Sequence, residues 1–72
     1  MMRLGEQVKA VHDIVFPSGA KVPAGTFGHV QRIVARKGRR SQTAVAWLDP
    51  AGDGEKLLPI VEMCCVGEVE EA

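Results

Sequence analysis

The sequence predicts an all-β fold, a small barrel of four to five short antiparallel strands. Its apolar runs are short and recur about every 8–12 residues, as in sandwiches and small barrels. Segments rich in Gly and Pro separate these runs and predict tight turns. The chain has 72 residues, with one Trp, two Phe and no Tyr, so its core must consist mainly of Val, Ile, Leu and Ala. A sheet closed on itself hides its edges best in so short a chain.

The N-terminal stretch between residues 3 and 15 fits two periodicities. Its apolar residues recur both at helical spacing and at alternate positions, the latter including Val8 and Ala10. The β-branched residues favour a strand, and Gly5 weakens a helix by up to ~1 kcal/mol. We therefore predict a strand over residues 6–12, with a helix as the alternative.

The central stretch predicts a turn that leads into the second main strand, residues 28–35. Gly25 and Gly28 permit either a positive φ or a close approach of the backbone to a neighbour. The alternation of this strand is imperfect, because Val30 and Arg32 share one face while Ile33 and Val34 are adjacent. A β-bulge would reconcile this pattern. The sequence therefore predicts a bulged strand in a curved sheet.

The second half of the chain contains shorter elements. Val45 and Trp47 alternate as core-facing residues of a strand. The other predicted elements are a hairpin tip at residues 36–41 turning at Gly38, a strand at 56–58, a helical turn at 60–63 and a strand at 64–66. Residues 1–67 form the predicted domain, and the acidic tail 68–72 is expected to fray.

Charge is distributed unevenly along the chain. Residues 1–48 carry eight Lys or Arg against two acidic residues, a net of +6, and residues 49–72 carry one Lys against seven acidic residues, a net of −6. Such asymmetry is typical of a nucleic-acid-binding face or of head-to-tail self-association. An ordinary solvated surface is the alternative interpretation.

Several segments together resemble the SH3-like barrel group. They are Gly5-Glu6-Gln7-Val8-Lys9-Ala10-Val11, Ala24-Gly25-Thr26-Phe27-Gly28-His29-Val30, Val45-Ala46-Trp47 and Leu58-Pro59-Ile60. The Gly-x-x-Gly-x-Val pattern is similar to that of KOW-type modules, and the small-Gly-Thr-x-Gly-x-Val core is similar to that of NifZ-type proteins of nitrogen-fixation clusters. The KOW-type resemblance implies binding to RNA or a ribonucleoprotein, and the NifZ-type one implies an accessory or assembly role.

Two segments, Val15-Phe16-Pro17-Ser18 and Leu58-Pro59-Ile60, also resemble the plasmid-type dihydrofolate reductases. These are small SH3-like chains that assemble a shared central pore. Their ligand-binding Val-Gln-Ile-Tyr run has no counterpart here, since the chain lacks Tyr. We therefore do not expect this activity, and an oligomeric enzyme with a site between subunits is only a distant alternative.

The predicted hairpin tip is the candidate nucleic-acid site. A protruding cluster of cations releases counterions when it binds a polyanion. The residues concerned are Arg32, Arg36, Lys37, Arg39 and Arg40. The alternative is a tip whose charges keep the hairpin soluble and block edge-to-edge aggregation.

Phe16 and Phe27 are candidate protein contacts, because each lies next to a turn and an exposed one would mark a contact surface. Trp47 is interpreted as a core residue. A small barrel with a thin core gains most from burying such residues against a second copy or another protein.

The sequence contains no recognisable catalytic or metal-binding pattern. The soft ligand candidates are His12, His29, Cys64 and Cys65, but neither Cys-x-x-Cys nor His-x-x-x-His occurs. Adjacent strand residues face opposite sides, so the two cysteines would not converge on one ion. Residues 25–28 lack the Gly-Lys-Ser/Thr ending of a phosphate loop. We expect no cofactor and no metal.

These observations predict a small non-enzymatic module that binds another protein or itself. The alternative is an RNA-binding barrel that uses the basic hairpin at residues 36–40. No apolar run approaches the ~20 residues of a membrane span, and no secretory signal begins the chain. We expect a cytoplasmic location, in which both cysteines stay reduced.

Overall fold

The computed structural model describes residues 2–35, 37–52 and 56–72. Those ranges contain seven β-strands, one 3₁₀ turn and no α-helix, which confirms the predicted all-β class. The strands are β1 (Gln7–Ala10), β2 (Ile14–Val15), β3 (Lys21–Val22), β4 (Phe27–Val34), β5 (Gln42–Trp47), β6 (Met63–Cys65) and β7 (Val69–Glu71), and the 3₁₀ turn is Val66–Glu68. The predicted first strand exists as β1, so the helical alternative for residues 3–15 is wrong.

Five strands form one antiparallel sheet in the order β6-β5-β4-β1-β7, and β2 and β3 form a separate hairpin. Within the described ranges β6 and β7 are the two edges and do not pair, so the predicted closure of the barrel is wrong. The edges are nevertheless near each other at one end. Four peptide steps separate Cys65 from Val69 and span at most ~15 Å. The sheet is therefore strongly curled but open.

The predicted bulge lies in the middle of β4. The β4–β5 register shifts between Val30 and Arg32, which leaves Gln31 as the extra residue. Val30 is buried, and Ile33 packs against the core from beyond the bulge. The buried Thr43 hydroxyl donates a hydrogen bond of 2.9 Å to the carbonyl oxygen of Arg32, beside the irregularity. The bulge thus turns both apolar residues inward and leaves Arg32 exposed.

The core lies between the curled sheet and the β2–β3 hairpin. Trp47 is 1 % exposed and is the largest fully buried side chain. The other buried apolar residues are Val8, Ala10, Ile14, Phe16, Val22, Val30, Val45, Cys64 and Val69. Both the main sheet and the hairpin contribute, because a single sheet face has too few apolar side chains to form a core.

The C-terminal residues form a strand in place of the predicted frayed tail. β7 pairs with β1, and Val69 is buried opposite Ala10. Glu70 lies opposite Lys9, with the ammonium nitrogen 3.4 Å from its carboxylate. The tail is ordered because it buries Val69 and places acidic side chains beside a cation. The opposite charges of the two halves therefore meet partly within the molecule.

Two shorter predictions also differ from the structure. The helical turn expected at residues 60–63 does not form, since Met63 pairs with Ala44 at the start of β6. The turn lies at Val66–Glu68 instead, where the Glu68 carboxylate accepts a hydrogen bond of 3.2 Å from the Cys65 amide. The strand expected at residues 56–58 is reduced to one bridge between Leu48 and Leu57.

Candidate functional site

The predicted basic tip is the turn that joins β4 to β5. Gly38 has a φ of 73°, which confirms that it supplies the turn. Lys37, Arg39 and Arg40 are exposed around it. Arg36, the remaining member of the predicted tip, lies outside the described residues. The structure therefore brings three of the predicted cations together at one end of the sheet.

The described cations of this tip have no carboxylate partner. Among the described residues, no carboxylate forms an ion pair with Arg32, Lys37, Arg39 or Arg40. Arg32 is separated from the tip, because it lies within the paired part of β4, opposite Ala44 on β5. The tip offers positive charge to an anion, but without an aromatic side chain on which a base could stack.

One side of the tip borders a cleft of about 650 Å³ that the sequence did not predict. Arg40 and Ser41 form one wall, while His12, Cys65 and Glu68 line the rest together with Val66 and Gly67. The His12 Nε2 atom lies 3.8 Å from a Glu68 carboxylate oxygen. The cleft thus carries a carboxylate beside its cations, which reduces its attraction for a polyanion.

The two phenylalanines lie in different environments. Phe16 is 3 % exposed, so it cannot be a protein contact and that prediction is wrong. A turn closed by the Phe16 amide donating to the Ala20 carbonyl directs its ring into the core. Phe27 is 45 % exposed at the start of β4 and borders a shallow depression with Leu48 and Pro50. Phe27 remains the candidate contact.

A second apolar surface lies beside the part of β5 that does not pair with β6. β5 pairs with β6 only from Gln42 to Ala44, and the chain touches β5 again at the bridge between Leu48 and Leu57. The resulting opening is a groove of about 380 Å³. We call it the β5 groove, and its lining residues are Gln31, Ala44, Val45, Ala46, Leu57, Leu58, Ile60 and Val61.

A tight turn shapes one wall of the β5 groove. The Leu58 amide donates to the Trp47 carbonyl at 2.8 Å, and the Ile60 amide donates to the Leu58 carbonyl across Pro59 at 2.8 Å. Leu58 and Ile60 pack against the core. Their neighbours face solvent, with Leu57 53 % and Val61 90 % exposed. The apolar run interrupted by Pro59 was the sequence signal for this wall.

Two of the soft ligand candidates, His12 and Cys65, line the same cleft. In the ranges that the structure covers, no three His, Cys, Asp or Glu side chains converge as metal ligands would. Both cysteines are free. Burial, with the nearby Glu68 charge as a smaller contribution, raises the pKa of the Cys64 thiol to about 11. Cys64 is therefore a protonated core residue at neutral pH, not a nucleophile.

No family model matches the chain, and no curated protein or solved structure matches it either. The described residues include no helix of the length and apolar character needed to cross a bilayer. The two prominent features of the surface are the apolar β5 groove and the basic tip.

Proposed function

We propose that this chain is a small non-enzymatic SH3-like module that binds another protein as an accessory or assembly factor. The observation that carries the proposal is the exposure of Val61 and Leu57 on the rim of the β5 groove. Exposed apolar side chains around a concave surface are typical of protein contact sites. Burying them against a partner would also extend a core that is thin in so short a chain.

The SH3-like part of the proposal is supported by the order of the elements. β1 is followed by a loop carrying the β2–β3 hairpin, then by the turn at Gly25 and the long strand β4. β5 ends at Trp47, and the Leu58-Pro59-Ile60 turn follows. This is the order of features on which the sequence resemblance depends. The proposed location is the cytoplasm, where both cysteines stay reduced.

Site-specific cross-linking tests the proposal. A photoreactive residue placed at Val61 is expected to yield a specific protein adduct in cells of the source organism. The same residue at Val15, which is exposed on β2 and does not line the groove, is the matched control. The adduct should be lost when untagged wild-type chain competes, and the purified partner should bind the wild-type chain. Identical adducts at both positions, or none at Val61, would contradict the proposal.

RNA binding through the basic tip is the second candidate, favoured by the absence of ion pairs at Lys37, Arg39 and Arg40 within the described residues. This function predicts an affinity for single-stranded RNA that falls steeply with salt. Changing the three residues to Ala should abolish the binding and flatten the salt dependence. An absence of binding at ~50 mM salt would remove this candidate.

A further inference from the structure

The shape of the β5 groove limits what can enter it. Its lining includes the small side chains Ala44 and Ala46, and the exposed side chains of Leu57 and Val61 form its rim. Small residues below a rim of larger ones leave a depression that fits one large apolar side chain. The groove is open to solvent along β5, so an extended segment carrying that side chain can lie across it.

One cation lies beside the groove. Arg32 is the register partner of Ala44, and side chains of partners on adjacent strands lie about 4.5–5.5 Å apart at their Cβ atoms. Arg32 is exposed, and no carboxylate of the described residues forms an ion pair with it. An unpaired guanidinium therefore lies next to the apolar depression.

The nearest acidic residue on the same segment is directed elsewhere. Glu62 follows Val61, but its carboxylate accepts hydrogen bonds from the Ser18 hydroxyl and the Ser18 amide on the β2–β3 hairpin. These bonds hold it toward the hairpin. The acidic strand β7 is also occupied, since Val69 is buried and Glu70 pairs with Lys9. Glu62 and strand β7 are therefore not ready ligands for the groove of a second copy.

We infer that the β5 groove binds an acidic peptide segment of the partner, in which one large apolar residue is flanked by Asp or Glu. This inference rests on the proposed function and names the chemistry of the partner. The apolar side chain enters between Ala46 and Val61, and a flanking carboxylate faces Arg32. Burial supplies most of the affinity, while the guanidinium of Arg32 selects the charge of the segment.

Selection from a displayed library of random peptides tests this inference on the full chain. The expected winners carry Leu, Ile, Met or Phe beside Asp or Glu. Val61→Asp should weaken the binding of a selected synthetic peptide at least roughly tenfold, because it places a carboxylate on the apolar rim. Arg32→Glu should weaken it about threefold to tenfold, because it replaces the attracting charge with a repelling one.

Matched controls separate these effects from unfolding. Val15→Asp and Arg39→Glu alter an exposed apolar residue and an exposed unpaired cation that do not line the groove, and both should leave the affinity unchanged. Amide chemical shifts of the labelled chain should move around residues 44–46 and 57–61 on titration with the peptide.

Other outcomes overturn the inference. They are the enrichment of basic or purely apolar peptides, binding that Val61→Asp leaves intact, shifts confined to Phe27 and Leu48, and no enrichment at all. Self-association through the groove, detected by light scattering and abolished by Val61→Asp, would also overturn it in favour of a second copy. The cross-linking at Val61 tests the proposed function separately. A specific adduct with a partner that lacks an acidic segment of this kind would support the proposed function and contradict this inference.

Discussion

Gly28 on β4 lies directly opposite Trp47 on β5, and the space above Gly28 is already filled. A Cβ atom added at Gly28 would lie 2.5 Å from Val45 Cγ1 and 2.8 Å from the Ala46 carbonyl oxygen. Trp47 Cε3 would be 3.2 Å away. The absence of a side chain at this position therefore allows the indole to pack fully within the curled sheet.

Gly28→Ala should destabilise the domain by about 1–3 kcal/mol, because the added methyl overlaps backbone and a buried side chain that cannot move freely. Urea unfolding followed by Trp47 fluorescence measures the loss. Gly67→Ala is the control, since nothing lies within 4 Å of a Cβ atom there. Equal midpoints for the two variants would show that β5 does not pack on Gly28 as described.

Val69→Ala should lower the free energy of unfolding by about 1–2 kcal/mol, because it removes two buried methyl groups opposite Ala10. Val15→Ala removes the same atoms from an exposed position and should stay within about 0.5 kcal/mol of the wild type. Chemical denaturation of both variants makes the comparison. A Val69→Ala variant as stable as the wild type would indicate that the C-terminal residues are frayed after all.

Asp13 should titrate below its ordinary value. The Ala24 amide donates to its carboxylate at 2.8 Å, and Lys21 lies 3.4 Å away, which together lower its pKa from 3.8. A carboxyl group whose pKa is lower in the folded state stabilises the fold at pH values above its ordinary pKa. That stabilisation is lost as the pH falls through the folded-state pKa. Carbon NMR of the carboxyl group gives the midpoint directly.

The matching variant is Asp13→Asn, which keeps an acceptor for Ala24 but cannot ionise. Its unfolding midpoint should change less than that of the wild type between neutral pH and about pH 3. Parallel curves for the two proteins would mean that Asp13 carries no acid-sensitive stabilisation.

The two adjacent thiols should differ in reactivity. The thiolate is the reactive form, and Cys64 is buried with its pKa raised to about 11, whereas Cys65 lines the open cleft beside Arg40. A maleimide at about pH 7.5 should label one thiol per folded chain, detected by mass spectrometry. Cys65→Ser should abolish this labelling and Cys64→Ala should retain it. Fast labelling of Cys64 in folded Cys65→Ser would contradict its burial.

Several features followed from local rules alone. The β-branched residues around Val8 predicted β1 over a helix, and the imperfect alternation of residues 28–35 predicted a bulge, which the structure places at Gln31. Gly38 predicted the turn between β4 and β5 through its permitted positive φ. These signals need no distant contact, because each depends on the conformational preferences of a few consecutive residues.

The candidate sites were less predictable, because they depend on contacts between distant segments. Phe16 and Phe27 both lie beside turns, so the sequence predicted a surface contact for each. Phe16 is a core residue because the β2–β3 hairpin packs against the sheet. The β5 groove lies beside the part of β5 between two contacts, the bridge of Leu57 with Leu48 and the pairing of Met63 with Ala44. No local pattern encodes where two strands separate.

The sequence by itself determined the all-β class, the bulged central strand, the turn glycines and the cluster of cations at the hairpin tip. The tertiary structure alone decided that the sheet stays open, that residues 69–71 form its last strand, and that an apolar groove lies next to Arg32. The physical reason is that short-range preferences set each strand. Burial of Val69 and Trp47 against residues far away in the chain sets which strands meet.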